Sequence, residues 1–316
     1  MKSVTTLLLM ARDYGRLVLI AGLVAGIALP DLALAMKPWL GEMVAALLFV
    51  SALRIGPAAA AGRLADLART FNLVAVTQLT LPLVFAGVFV AVGFSGPLAV
   101  AFVLMLAAPS IVGSPNLTLM TGNDPAPALR LLIAGTALMP LTVVPVFWLS
   151  PAFGTITAVI AAAARLLVII TVAGGLAFFI RHRWFRNPAS RTLNAIDGLS
   201  AIMLAIVVIG LMAAVGPALR DEPLRLAGML AIVFAANFGL QFVAWFALHR
   251  VRSAGERVSW SIVSGNRNMG LFLAALPASV TDPILLYIGC YQIPMFLTPV
   301  MLGWLYRPRP GPDRQT

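Results

Sequence analysis

The sequence is poor in most of what soluble proteins use for chemistry. It has one cysteine, Cys290, and two histidines, His182 and His249, so it can form no internal disulfide and offers no Cys/His cluster for a metal. Charged residues make up only 10% of the chain, and acids are the scarcer sign. Asp13, Asp31, Asp66, Asp124, Asp197, Asp221, Glu222, Glu256, Asp282 and Asp313 fall in predicted loops, tails or helix ends, and Glu42 lies near the start of a predicted helix. No paired aspartates, no His-Glu-x-x-His and no serine-centred elbow occur within the apolar segments, so no enzyme constellation is expected, and no cofactor.

What is there is apolar. Of 316 residues, 61% are hydrophobic, and the mean hydropathy is +0.98. No soluble domain of this size buries that much apolar surface, so the expected solvent is the lipid bilayer. Runs of about 20 residues, long enough to cross the hydrocarbon core as helices, lie at 17–35, 38–60, 70–92, 97–121, 126–149, 160–181, 196–217, 224–248, 258–278 and 282–305. The reading is an all-α membrane protein of ten transmembrane helices. Its connections are too short for a separate soluble domain.

A net charge of +11 raises the question of nucleic acid. The distribution answers it, because the basic residues gather in every second loop. Lys2, Arg12 and Arg16 precede the first segment; Arg54, Arg63, Arg69, Arg130, Arg181, Arg183, Arg186, Arg191, Arg250, Arg252 and Arg257 follow on the same side; Arg307, Arg309 and Arg314 close the chain. The opposite side has Lys37, Arg220 and Arg225. This asymmetry predicts a multi-pass inner-membrane protein with both termini cytoplasmic, and no nucleic-acid partner. Arg165 falls inside an apolar window; a short interfacial helix over 154–164 would bring it to the membrane surface.

Two of the segments are interrupted. Ser110-Ile111-Val112-Gly113-Ser114-Pro115-Asn116 breaks the fourth, and Ser261-Ile262-Val263-Ser264-Gly265-Asn266-Arg267-Asn268 breaks the ninth. Polar residues and helix breakers at membrane depth require backbone held by protein or facing water. Pro109 and Pro115 disfavour a continuous helix. Ser114-Pro115 reads as an N-cap and first-turn pair, with Asn116 and Thr118 in the turn that follows. In the ninth segment Gly265 relaxes the backbone, and Ser264 or Asn266 can cap. Two half-helix N-termini meeting near the midplane would favour an anion; side-chain and unwound carbonyl oxygens would favour a cation. Kinked helices joined by polar contacts are the bland alternative. Five segments per half, 1–152 and 153–316, put the halves in opposite orientation, as an inverted repeat requires. The Ser-Ile-Val triplets and the equal spacing of Pro140/Pro145 and Pro294/Pro299 echo between them.

At these residues the chain resembles the bile acid:sodium symporter family and its wider superfamily, over nearly its whole length. Gly26-Ile27-Ala28-Leu29-Pro30 is similar to the end of that family's first helix, Leu48 to Leu53 to its second, and Gln78 with Pro82 to its third. Pro109 to Asn123 is similar to the fourth, Thr136 with Pro140 to the fifth, and Gly265 to Gly270 to the ninth. The resemblance implies a core domain of helices three to five and eight to ten around crossed broken helices, a panel domain, and a substrate cavity between them. It also implies a sodium site on Gln78, Ser114 or Asn116, Thr136 and the ninth-helix stretch. The chain departs from the family there: Val263 stands at an acidic position, Arg267 at a glutamine, and Pro115 at an asparagine that Asn116 supplies one residue later. These departures argue against sodium coupling.

Arg267 is the most informative residue, since a guanidinium near mid-membrane must be paired or wet. In one reading it fills the vacated sodium site as a tethered cation among Ser114, Asn116, Thr136 and Gln78. In a second it contacts a carboxylate, sulfonate or other oxyanion substrate. In a third it bonds half-helix carbonyls as a structural group. Ser264, Asn266 and Asn268 share its stretch, and Asn237, Gln241 and Gln292 are candidates for lining the cavity. The expected function is a secondary transporter of a small organic anion working by alternating access. A metalloid or auxin-like solute exporter of the same superfamily and a non-transporting membrane sensor are the alternatives.

Overall fold

A computed structural model of the protein describes residues 2–57, 67–250 and 254–307. It is 87% helical, with no strand among the described residues, which bears out the all-α reading. The helices in chain order are α1 (Lys2–Asp13), α2 (Gly15–Ala28), α3 (Pro30–Met36), α4 (Leu40–Ile55), α5 (Leu67–Val74), α6 (Leu81–Ala91), α7 (Pro97–Ala107), α8 (Ser114–Met120) and α9 (Ala126–Leu149). They continue as α10 (Ile156–Trp184), α11 (Ser190–Leu211), α12 (Val215–Asp221), α13 (Pro223–Ala247), α14 (Ala254–Gly265), α15 (Gly270–Ala275), α16 (Ala278–Thr281), α17 (Leu285–Met301) and α18 (Gly303–Tyr306).

Among the described residues seven helical stretches are long and apolar enough to cross a membrane: Pro30–Ile55, Ala68–Ala91, Ala126–Leu149, Ile156–Trp184, Ser190–Asp221, Pro223–Ala247 and Ala278–Met301. Their outer faces carry bare apolar side chains such as Leu141, Leu224 and Val243, which only lipid would tolerate at that density. The molecule is a membrane-embedded helical protein. The other three predicted segments are present as shorter pieces. The fourth is α7 plus α8, the ninth is α14 plus α15, and the first is α2, with α1 ahead of it.

Three sequence expectations shift. Helix begins at Lys2 rather than near residue 17, because α1 is amphipathic and its polar face dilutes the apolar signal. The second segment extends back to Pro30, where proline occupies a first-turn position that costs no backbone bond. Gly154 to Ala164 form no separate interfacial helix: α10 runs unbroken from Ile156, and Arg165 is an exposed residue within it.

Small residues let the helices approach. Gly22 and Gly26 of α2, spaced as in a Gly-x-x-x-Gly contact face, lie against Ala205 and Met212, and Gly198 of α11 lies against the Leu8 carbonyl. Chain positions rise together along both partners, so α1–α2 and α11 are parallel. The main core runs on from this contact through α4, α10 and α11 into α7, α9, α13, α15 and α17, around Leu104, Met139, Phe147, Phe272 and Tyr287.

Candidate functional site

The site begins where the two interrupted helices end. Residue Ala108 leaves α7 in extended geometry (φ −68°, ψ 146°), because Pro109 disfavours helix in the residue before it. On the other chain segment α14 runs through Ser261-Ile262-Val263 and stops at Gly265. The triplet that echoes between the halves is therefore helical here, and the break itself is Asn266 to Met269. The two extended stretches pair as an isolated antiparallel bridge between Ser110 and Arg267. Ile111 N donates to Asn266 O at 3.0 Å, and Asn268 N donates to Pro109 O at 2.7 Å. Two breaks far apart in sequence thus satisfy each other's backbone, as unwound helix in lipid requires.

Arg267 closes this crossing. It is 2% exposed. Its Nε donates to Ser264 O at 2.9 Å and its Nη1 to Ala108 O at 3.1 Å. Those carbonyls lie at the C-terminal ends of α14 and α7, where unpaired acceptors and helix dipoles concentrate negative charge. One guanidinium therefore neutralises both half-helix ends and ties them together. Its Nη2 is buried with no partner. The half-helices that follow the breaks, α8 and α15, have 7 and 6 residues. The electrostatics of the crossing are thus set by two C-termini and a cation, rather than by meeting N-termini.

Around it lies a polar network. Gly265 O accepts from both Asn237 Nδ2 and the Tyr291 hydroxyl. Gln241 Nε2 donates to Asn237 Oδ1 at 2.7 Å, and Gln241 Oε1 accepts from the Tyr306 hydroxyl at 3.0 Å. Asn266 Nδ2 donates to Ile262 O at 2.7 Å, and its Oδ1 lies 3.3 Å from the Thr298 hydroxyl. Gly265 cannot be larger, since a Cβ there would collide with the Asn237 carbonyl and the Gln241 side chain.

The other expected site residues sit at varying distances from Arg267. Gln78, in a π-helical turn at Ala75–Thr80, is buried and donates to Gly135 O at 3.2 Å. The bare Gly135 also faces Pro109, so Gln78 and the neighbouring Thr136, 8% exposed, adjoin the first break. Ser114 accepts from Ser110 at 2.6 Å, and Thr118 donates to Ser114 O at 3.0 Å. Asn116 is exposed. Ser264 donates to Trp260 O within its own helix, and Gln292 likewise to Ile288 O. Asn268 is half-buried and enters the bridge through its backbone. None of these side chains bonds to Arg267; its described partners are the two backbone carbonyls.

Sequence reasoning missed Tyr291, Tyr306 and Ser110 as members of the network. A signal existed: the chain has 4 tyrosines, and a tyrosine inside an apolar run needs a partner for its hydroxyl.

Ala108 O and Ser264 O are taken by the guanidinium, and Ser110 and Ser114 bond each other. Among the described residues no group of acidic, histidine or cysteine side chains could hold a metal ion.

No known family model matches the chain, and no curated protein matches it in sequence.

Proposed function

We propose that the protein is a secondary carrier for a small organic anion, in which Arg267 serves as the fixed cation of the crossing and makes transport independent of sodium. One observation carries the reading: a fully buried guanidinium bonds the ends of both broken helices and keeps one N–H pair, on Nη2, unpartnered. A carboxylate or sulfonate oxygen is the acceptor that best matches an unpaired guanidinium nitrogen. A buried guanidinium nitrogen calls for an acceptor, and the oxygen of an anionic substrate would supply one.

In this account the chain crosses the membrane ten times, with both termini cytoplasmic. The fourth and ninth crossings are the paired half-helices: about 17 Å for α7 with about 10 Å for α8, and about 18 Å for α14 with about 9 Å for α15, which with the extended breaks approach the hydrocarbon thickness of about 30 Å. The matched long-then-short construction of the two crossings supports a 5+5 inverted repeat and membership of the superfamily that the sequence resembles. Alternating access would then move the remaining helices around the fixed crossing.

The test is exchange of labelled carboxylates and sulfonates across proteoliposomes holding the purified protein, in sodium and in potassium. The account expects exchange of at least one anion at equal rates in both salts, abolished in Arg267→Gln. Exchange that vanishes when potassium replaces sodium would refute the tethered-cation mechanism. No exchange of any anion would favour a sensor.

A further inference from the structure

A cavity of about 480 Å³ opens at the far end of α4 and α10, lined by Gly56, Pro57, Arg181, His182, Arg186 and Asn187. Among the described residues its lining has two arginines and a histidine, and no acid. Asp197 of α11 is engaged by Arg54 at 2.7 Å. Arg54 also lies close enough to Arg181 to repel it.

The cavity has a shaped wall. Gly56 ends α4 at φ +76°, and the space that a Cβ would take there is filled by Arg181, whose Nε would lie 3.1 Å from it. Arg181 is thus packed across the end of α4, while its Nη1 is buried with no hydrogen-bond partner. A buried guanidinium nitrogen without an acceptor is costly, and its natural complement is an anionic oxygen. The mouth lies at the end of a long apolar helix whose last turns expose Phe179, Trp184 and Phe185. Exposed aromatics in that position mark the depth of lipid headgroups.

We infer that this cavity is a binding site for a phosphate-bearing anion, with Arg181 and Arg186 as the charged contacts and Asn187 and His182 as further donors. The group is either the headgroup of an anionic phospholipid, whose chains would run along Phe179 and Trp184, or free phosphate. The site is separate from the crossing, and it stands whether or not the carrier reading does.

The experiment is thermal unfolding of delipidated protein in detergent. It compares dioctanoyl phosphatidylglycerol, dioctanoyl phosphatidylcholine, and potassium phosphate against potassium chloride at matched ionic strength. Stabilisation by the glycerol lipid but not by phosphate assigns the site to a lipid headgroup; equal stabilisation by both assigns it to free phosphate. In either case Arg181→Gln and Arg186→Gln should each weaken the apparent affinity roughly fivefold, the worth of about one basic contact near a membrane surface. Arg183→Gln, outside the cavity, should leave it unchanged. Arg186 is exposed, so its variant carries the test even if the packed Arg181 proves necessary for folding. A response to the glycerol lipid no greater than to the choline lipid, with none to phosphate, would overturn the inference. So would equal responses in wild type and Arg186→Gln.

Discussion

Replacing Gly265 by alanine should be the most damaging single-methyl change at the crossing. The added Cβ would lie well under 3.0 Å from the Asn237 carbonyl oxygen and the Gln241 Cγ. The first obstacle is backbone, which no rotamer change can move. Helices α13 and α14 must separate, and overpacking of this kind costs about 1–3 kcal/mol. Separation also stretches the bond from Asn237 to Gly265 O, for about 1 kcal/mol more. The total of about 2–4 kcal/mol corresponds to a fall in Tm of roughly 3–6 °C for a protein of this size. Gly228→Ala on α13 is the control, since a Cβ there meets nothing within 4 Å and a helical alanine is favoured over glycine by about 1 kcal/mol. Thermal unfolding of both variants in detergent decides the matter. If Gly265→Ala melts with wild type while Gly228→Ala is unchanged or better, the close packing of α13 on the ninth-segment break is wrong.

Tyr306→Phe removes the hydroxyl from Gln241 Oε1 and should lower stability by about 1 kcal/mol, a loss absent when Gln241 is already Leu in a double-mutant cycle. Gly22→Val should weaken the packing of α2 on α11 and lower Tm, since its branches would press on the Ala205 backbone. Asp197→Asn frees an exposed Arg54 and should change stability by less than about 1 kcal/mol, with the difference shrinking in salt. Cys290 is buried at 0% exposure, so a maleimide should label the native protein negligibly and label it fully on unfolding. Rapid labelling of native protein would contradict the packing of α17.

Much of the architecture was readable in the chain because lipid imposes simple rules. Prolines and asparagines inside apolar runs have few interpretations, so the fourth and ninth interruptions stood out. What could not be read was their register. The echo of Ser110-Ile111-Val112 with Ser261-Ile262-Val263 pairs a break with a helix, since where a helix unwinds depends on which carbonyls find partners across the fold. Residue Arg267 finds two, Ser264 O and Ala108 O; that it would bond half-helix carbonyls was one of the three readings, but which carbonyls could not be read without the tertiary approach. The bonds of Gly265 O to Tyr291 and of Gln241 to Tyr306 span long sequence separations and exist only through tertiary approach. Helix α1 escaped notice because hydropathy alone does not report an amphipathic segment.

The central claim is that the Arg267 guanidinium does the work of a bound cation. Its most direct test is the thermal stability of wild type and Arg267→Gln in sodium against potassium at matched ionic strength. The account predicts a wild type indifferent to sodium. It predicts a variant that is less stable, by roughly 1–3 kcal/mol for two buried bonds in a membrane interior, or one that gains a sodium response. Saturable stabilisation of wild type by sodium would contradict it, because a cation would then be bound despite the guanidinium.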